Sequence, residues 1–151
     1  MAFFTDYTTL QATIANYLAR DDLTATIPEF IRLAEDRLAR DLRIREMLKI
    51  VTTTTTSADG TVEIPADFLA MKDLHISSTD PIQTVTFQSP SNFFRNTRAT
   101  ASGLPVFYTA LGQEFRFAPI PDTAYTLQML YYFKPAYMSS TVSSNLWLAN
   151  T

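Results

Sequence analysis

His75 is the only histidine in the chain, and it sits in "KDLHIS", a run that alternates like a strand. A histidine can move a proton or bind a metal, but only with a carboxylate or hydroxyl aimed at it, and a lone strand histidine is ordinarily structural. Paired carboxylates occur at Asp21-Asp22 and Glu35-Asp36. Two adjacent acids could hold a divalent cation, yet these flank a helix end or lie on a helix surface beside arginines, where solvation and ion pairing account for them. No serine stands in a GxSxG turn, and no glycine-rich loop runs into Lys-Ser/Thr. Three glycines in 151 residues leave little from which to build a phosphate cradle. The absence of cysteine removes thiolate catalysis, disulfides and zinc–sulfur sites. No enzyme activity, metal or cofactor is expected.

The one charged constellation with regular spacing is basic. "IPEFIRLAEDRLARDLRIREM", residues 27–47, reads as an amphipathic helix whose second half carries Arg37, Arg40, Arg43 and Arg45, with Lys49 beyond. At roughly 100° per residue, Arg37, Arg40 and Arg43 follow one another along one face. A basic ridge at a helix C-terminus is favoured by the macrodipole alone, so it serves as a solvated helix end, a grip on a protein partner or a surface for nucleic acid. A net charge of −3 argues against a dedicated nucleic-acid binder, whose domain would be clearly basic. Repetition of the ridge around a ring would still build a strong local field.

These residues need elements to hold them. Apolar residues make up 46% of the chain and charged residues 18%, which places it among globular proteins of one domain. No apolar run is long enough to span a membrane, and "MAFFTDYTTLQ" lacks the basic start of a secretory signal. A soluble protein made in the cytosol is the plain expectation. Leu10, Ile14, Tyr17 and Leu18 form one helical stripe, with Thr5 or Asp6 placed to cap it. Pro28 suits the first position of a second helix, whose apolar face is read as Ile27, Phe30, Ile31, Ala34, Leu38 and Leu42. Two helices joined by a short polar loop predict an antiparallel hairpin over residues 1–46.

From residue 47 to 137 the pattern is β-rich. "MLKIVTTTTTSADGTVEIP" is full of β-branched residues and contains Asp59-Gly60, a two-residue hairpin signal. The threonine run suggests a polar ribbon able to pair by its edge with another chain, or simply an exposed arm. "MKDLHIS" and "IQTVTF" read as strands about the turn Thr79-Asp80-Pro81. Ser89-Pro90 opens a short helix near residues 90–98, and "VFYTAL", "EFRFAP" and "YTLQMLYYFKP" complete an antiparallel meander. Between Ala99 and Phe133 the only charges are Glu114, Arg116 and Asp122. That surface must be covered, by more of the chain or by a partner. Residues 138–151 end on adjacent Leu146, Trp147 and Leu148, which read as an unfinished element, so the helical bundle is expected to be incomplete at its C-terminus. The fold class is α+β.

Nearly the whole chain resembles the tailed-bacteriophage head–tail connector, or phage adaptor, family. The landmarks are "YTTLQATIANYLARDDLTATIPEFIRLAEDRLARDLRIREM", "DGTVEIPADFLAMKDL", "GLPVFYTALGQEFRFAPIPDTAYTLQMLYYFKP" and "NLWLANT". Within them stand Ile27-Pro28 before "FIRLAEDRL", the run Ile64-Pro65-Ala66-Asp67-Phe68-Leu69, and Pro119-x-Pro121 before Tyr125. Relatives look like helical cores with a β-rich insertion, and a segment like Asn145-Leu146-Trp147-Leu148 leads in them to further helices, which this sequence does not reach.

The resemblance implies a structural subunit of the virion neck, made in the host cytoplasm. It would form a dodecameric ring beneath the portal protein, extend the DNA channel without reading sequence, join capsid to tail, and meet a downstream tail or nozzle protein. Arg37, Arg40, Arg43, Arg45 and Lys49 would face a neighbouring subunit or the channel. Asp21, Asp22, Glu29 and Glu35 offer an acidic partner face, which tips the reading towards subunit pairing. Thr54, Thr56, Asp59, Gly60, Phe93, Phe94 and Trp147 are candidates for portal or tail contact. The rivals are a second structural reading, another tail component such as a tail-tube or baseplate protein, and, in a different class, a small DNA-binding protein using the second helix.

Overall fold

The computed structural model describes residues 5–20, 22–55, 60–96 and 101–149. The chain forms two compact units: a helical one from Met1–Met47 and Lys134–Thr151, and a sheet unit, Leu48–Phe133, inserted between those pieces. Helices and largely antiparallel sheets together make the expected α+β fold.

In the helical unit, α1 (Tyr7–Leu18) starts at Asp6, whose carboxylate accepts from the Thr9 amide at 2.8 Å while the Thr9 hydroxyl accepts from the Asp6 amide at 3.0 Å. This reciprocal capping box satisfies two amides that the first turn leaves open. The helix stops at Ala19, which takes a left-handed conformation (φ 48°). Helix α2 (Ile27–Asp41) starts one residue earlier than expected, so Pro28 is its second residue. It also ends at Asp41 rather than running to residue 47; residues 42–44 leave the helix, and Arg45–Met47 form a separate 3-10 turn.

The face that α2 buries differs from the one its apolar residues suggest. Ile27, Ile31, Glu35 and Ala39, four apart, are buried, whereas Phe30, Leu38 and Leu42 are exposed. Ile27 and Ile31 pack with Met138 and Leu148, and Tyr7, Leu10, Ile14 and Ala15 of α1 close on the same cluster. A carboxylate at position 35 completes the stripe because polar groups wait for it there, as described below. The residues after Lys134 are thus part of this core, and the Tyr7 amide donates to the Ser143 carbonyl at 2.7 Å.

The sheet unit contains β1 (Leu48–Thr54), β2 (Thr61–Glu63), β3 (Phe68–Ile76), β4 (Gln83–Thr84), β5 (Thr86–Phe87), a short helix α3 (Pro90–Asn96), β6 (Phe107–Leu111), β7 (Glu114–Ala118) and β8 (Thr126–Phe133). They form two four-stranded sheets, ordered β1-β8-β3-β4 and β2-β7-β6-β5. This is not the expected meander: β1 pairs with the last strand, β8, and β5 runs parallel to β6. The hairpin expected around Asp59-Gly60 does not form either, since β1 and β2 belong to different sheets. The turn signal is local, and it is overridden by the pairing of β2 with β7, which sets Val62 opposite Phe115 in the core. Gly60 still needs to be glycine. Its φ is +59°, and an added Cβ would come within 3.2 Å of Pro121 Cδ.

Both sheets turn their inner faces onto one core. Leu74, Ile76, Leu127, Met129 and Tyr131 come from the first sheet, and Val62, Tyr108, Phe115 and Phe117 from the second. Phe115 meets Phe68 edge-on at 5.4 Å and Tyr108 edge-on at 5.6 Å, the arrangement that aromatic quadrupoles favour. The scarcity of charge after residue 99 follows directly. Strands β6, β7 and β8 are inner strands of their sheets, so the chain itself supplies much of the cover that the sequence demanded.

Candidate functional site

The arginine cluster divides once α2 is known to end at Asp41. Arg37 is exposed and leans on Asp41 one turn later at 3.6 Å, an exposed pair worth about 0.3–0.5 kcal/mol. Arg40, still on the helix, is exposed. Arg43 lies beyond it and folds back: its Nη1 donates to the carbonyls of Ala39 (2.7 Å), Arg40 (3.3 Å) and Leu42 (2.7 Å). It closes the helix end, where unpaired carbonyls and the macrodipole both draw a cation. Arg45 stands exposed on the 3-10 turn, and Lys49 is on β1. A helical ridge of three therefore reduces to Arg37 and Arg40.

Lys49 is engaged within the sheet unit. Its Nζ reaches Asp67 Oδ2 at 2.7 Å, and Asp67 Oδ1 accepts from the Tyr131 hydroxyl at 2.7 Å. Burial works against the ionised Asp67, but the bonds from Lys49 and Tyr131 outweigh it and hold the carboxyl below its ordinary value. Burial first, and then the bond to Asp67, pushes the Tyr131 phenol above its ordinary value.

The acidic group also divides. Asp21 lies outside the described residues. Asp22 pairs with Arg20, and Glu29 is exposed in the first turn of α2. Glu35 is not a surface acid, because it is 4% exposed. Its carboxylate accepts from the Met138 amide at 3.2 and 3.3 Å and from the Asn145 side-chain amide. Asn145 in turn donates to the Ala136 carbonyl at 3.0 Å and accepts from the Trp147 amide at 3.1 Å. Glu35 fastens the returning chain onto α2.

Among the contact candidates, Thr56 and Asp59 lie outside the described residues, and Thr54 is exposed at the end of β1. Gly60 is buried, its carbonyl accepting from the Phe117 amide at 2.8 Å. Phe93 is also core, 3% exposed, whereas its neighbour Phe94 is 57% exposed. Trp147 is half-buried and lines an apolar trough with Leu10, Ile14, Phe30, Ala34 and Leu38. Beside it Leu33 is 65% exposed. His75 is tied into its sheet by Gln128 Oε1 at 3.0 Å and Asp73 at 3.4 Å, and no group of three metal-ligating side chains gathers among the described residues.

A further polar cluster leaves little trace in local sequence pattern. Asp36 Oδ1 accepts from Lys134 Nζ at 2.7 Å and from the Tyr137 hydroxyl, while Arg32 and Lys134 lie 4.6 and 4.4 Å from the centre of the Tyr137 ring. Arg32 and Asp36 share a helix face at four-residue spacing, the one local hint, but their partners arrive from far along the chain. The hydrogen bond from Lys134, seconded by that from Tyr137, holds the Asp36 carboxyl below its ordinary value. A carboxyl depressed in the folded state adds stability above its unfolded pKa and loses it as pH falls through the folded value. Asp36→Asn should therefore flatten the melting-temperature profile below about pH 4; an acid limb as steep as that of the parent would show the cluster carries no linkage.

Residues 5–150 match the family model described as SU10 adaptor protein. No curated protein matches the chain.

Proposed function

The chain belongs to the SU10 adaptor protein family, a family of phage adaptors, and from that premise we propose that it is the head–tail adaptor of a virion neck. In this reading its copies form a ring beneath the portal protein, continue the DNA channel and give the tail or nozzle protein its attachment surface. The match across nearly the full length is the observation that carries the reading. The outer side of α2 supports it. Phe30 and Leu33, 52% and 65% exposed, stand on the same helix as the exposed side chains of Arg37 and Arg40. An apolar strip edged by cations is what a protein–protein contact requires, a desolvated centre with a charged rim.

We assign Arg37 and Arg40 to pairing between subunits, with Glu29 as the exposed acid able to receive them. Arg43 is left out of the test, because reversing it would undo its own helix end. The double variant Arg37→Glu/Arg40→Glu, mixed with the cognate portal, is expected to give no rings by negative-stain imaging while its circular dichroism stays that of the parent. Rings that assemble but fail to retain DNA would move the two arginines to the channel wall. Normal rings with normal DNA retention would remove them from both roles.

A further inference from the structure

An outer strand carries a row of unpaired amides and carbonyls, and folded proteins normally blunt it. Three of the four outer strands here are blunted by shortness: β4 and β5 have two residues each, and β2 has three, ending just before Pro65. Strand β1 is different. It runs for seven residues, contains no proline, and its single charge, Lys49, is drawn to Asp67 at 2.7 Å.

The direction of its backbone groups follows from one hydrogen bond. The Thr55 amide donates to the Tyr125 carbonyl at 2.9 Å. Antiparallel ladders alternate, so Lys49, Val51, Thr53 and Thr55 turn their backbone groups to β8, whereas Ile50, Thr52 and Thr54 turn theirs to the edge along which no strand of the described residues pairs. The side chains of those same three residues are exposed, Ile50 at 66%. Val51, by contrast, packs onto the core.

We propose that the open edge of β1 receives an extended segment of a different virion protein by strand addition, hydrogen-bonded at Ile50, Thr52 and Thr54. The inference rests on the adaptor reading for its partner. The segment that fits is uncharged, with an apolar side chain beside Ile50 and β-branched or hydroxyl side chains beside Thr52 and Thr54, the cross-strand neighbours such residues favour. A second copy of this chain fits less well. Joining β1 to β1 antiparallel makes a two-fold contact that closes at a dimer and cannot continue round a ring, and the other outer strands are too short to match it.

Thr52→Pro removes an amide that points away from β8, so it blocks the edge while leaving the internal ladder intact. Ile50→Lys blocks it by charge, with no backbone change. Deuterium exchange of peptides covering residues 48–55 should slow at least tenfold when the unmodified chain is compared free and in purified virions. Both variants, where their circular dichroism and melting match the parent, should enter virions at least tenfold less. Equal exchange in the two states, or parental incorporation of either folded variant, overturns the proposal. So does a dimer of the isolated chain that protects these amides, which would make the occupant a second copy. A chain missing from purified virions would fail differently, removing the adaptor reading and the partner with it.

Discussion

Glu35→Ala should detach the returning segment from α2 and destabilise the helical unit by about 3 kcal/mol. The substitution strands two donors: the Met138 amide, which both carboxylate oxygens approach, and the Asn145 side-chain amide. It also opens space in a stripe that is otherwise filled by Ile27, Ile31 and Ala39. Glu35→Gln keeps the shape and one acceptor but turns an amide towards donors, so it should fall between the parent and alanine. Urea unfolding reads the loss, and limited proteolysis should show new cleavage between residues 136 and 145. If Glu35→Ala stays within about 0.5 kcal/mol of the parent, Met138 and Leu148 hold that segment by packing alone.

The second large effect belongs to the sheets. Phe117 is 1% exposed on an inner strand, with its ring 6.3 Å from that of Tyr108. Phe117→Ala removes most of a buried aromatic side chain and leaves a cavity that two sheets cannot close, a change that typically costs about 3–5 kcal/mol. Phe94→Ala is the matched control. Its ring is 57% exposed, and the same deletion should change stability by less than about 0.5 kcal/mol. The contrast is measured by denaturant midpoints of the two variants; equal losses would mean that Phe94 is covered in solution.

What could be read in the sequence, and what could not, follows the range of the forces. Asp6 as a cap, the hairpin of β6 and β7, and the short α3 after Ser89 are all set by residues within one or two turns of each other, and the family landmarks lie along them. The stripe expected for α1 holds only in part, since Leu10 and Ile14 pack on the helical core while Tyr17 is 90% and Leu18 40% exposed. Asp59-Gly60 is equally local, yet its hairpin lost to pairings made with β7 and β8. The helix extension failed for a similar reason. "RDLRIREM" continues the charge spacing of α2, but after Asp41 the chain must turn into β1, and Arg43 closes the helix instead of prolonging the ridge. Glu35 could not be found by periodicity, which counts it as a surface residue; the donors that make it buried lie 103 and 110 positions away. Phe93 and Phe94 are identical letters, and only the packing of α3 against β6 tells the inward ring from the outward one.

The way the sheet unit is inserted also bears on the order in which the protein forms. The helical core cannot be completed until the chain after Lys134 has been synthesised, because Glu35 and Met138 come from opposite sides of the insertion. Joining the ends of a floppy loop as long as Leu48–Phe133 has an entropic cost on the order of 4 kcal/mol. Yet Leu48 and Tyr132 are direct cross-strand partners on β1 and β8, which puts their Cα atoms about 5 Å apart. Once those strands have zipped, the two ends already lie side by side and the long closure has been made. The nascent chain should therefore mature from the middle outwards, the paired strands shortening the path by which the two terminal pieces of the helical unit meet.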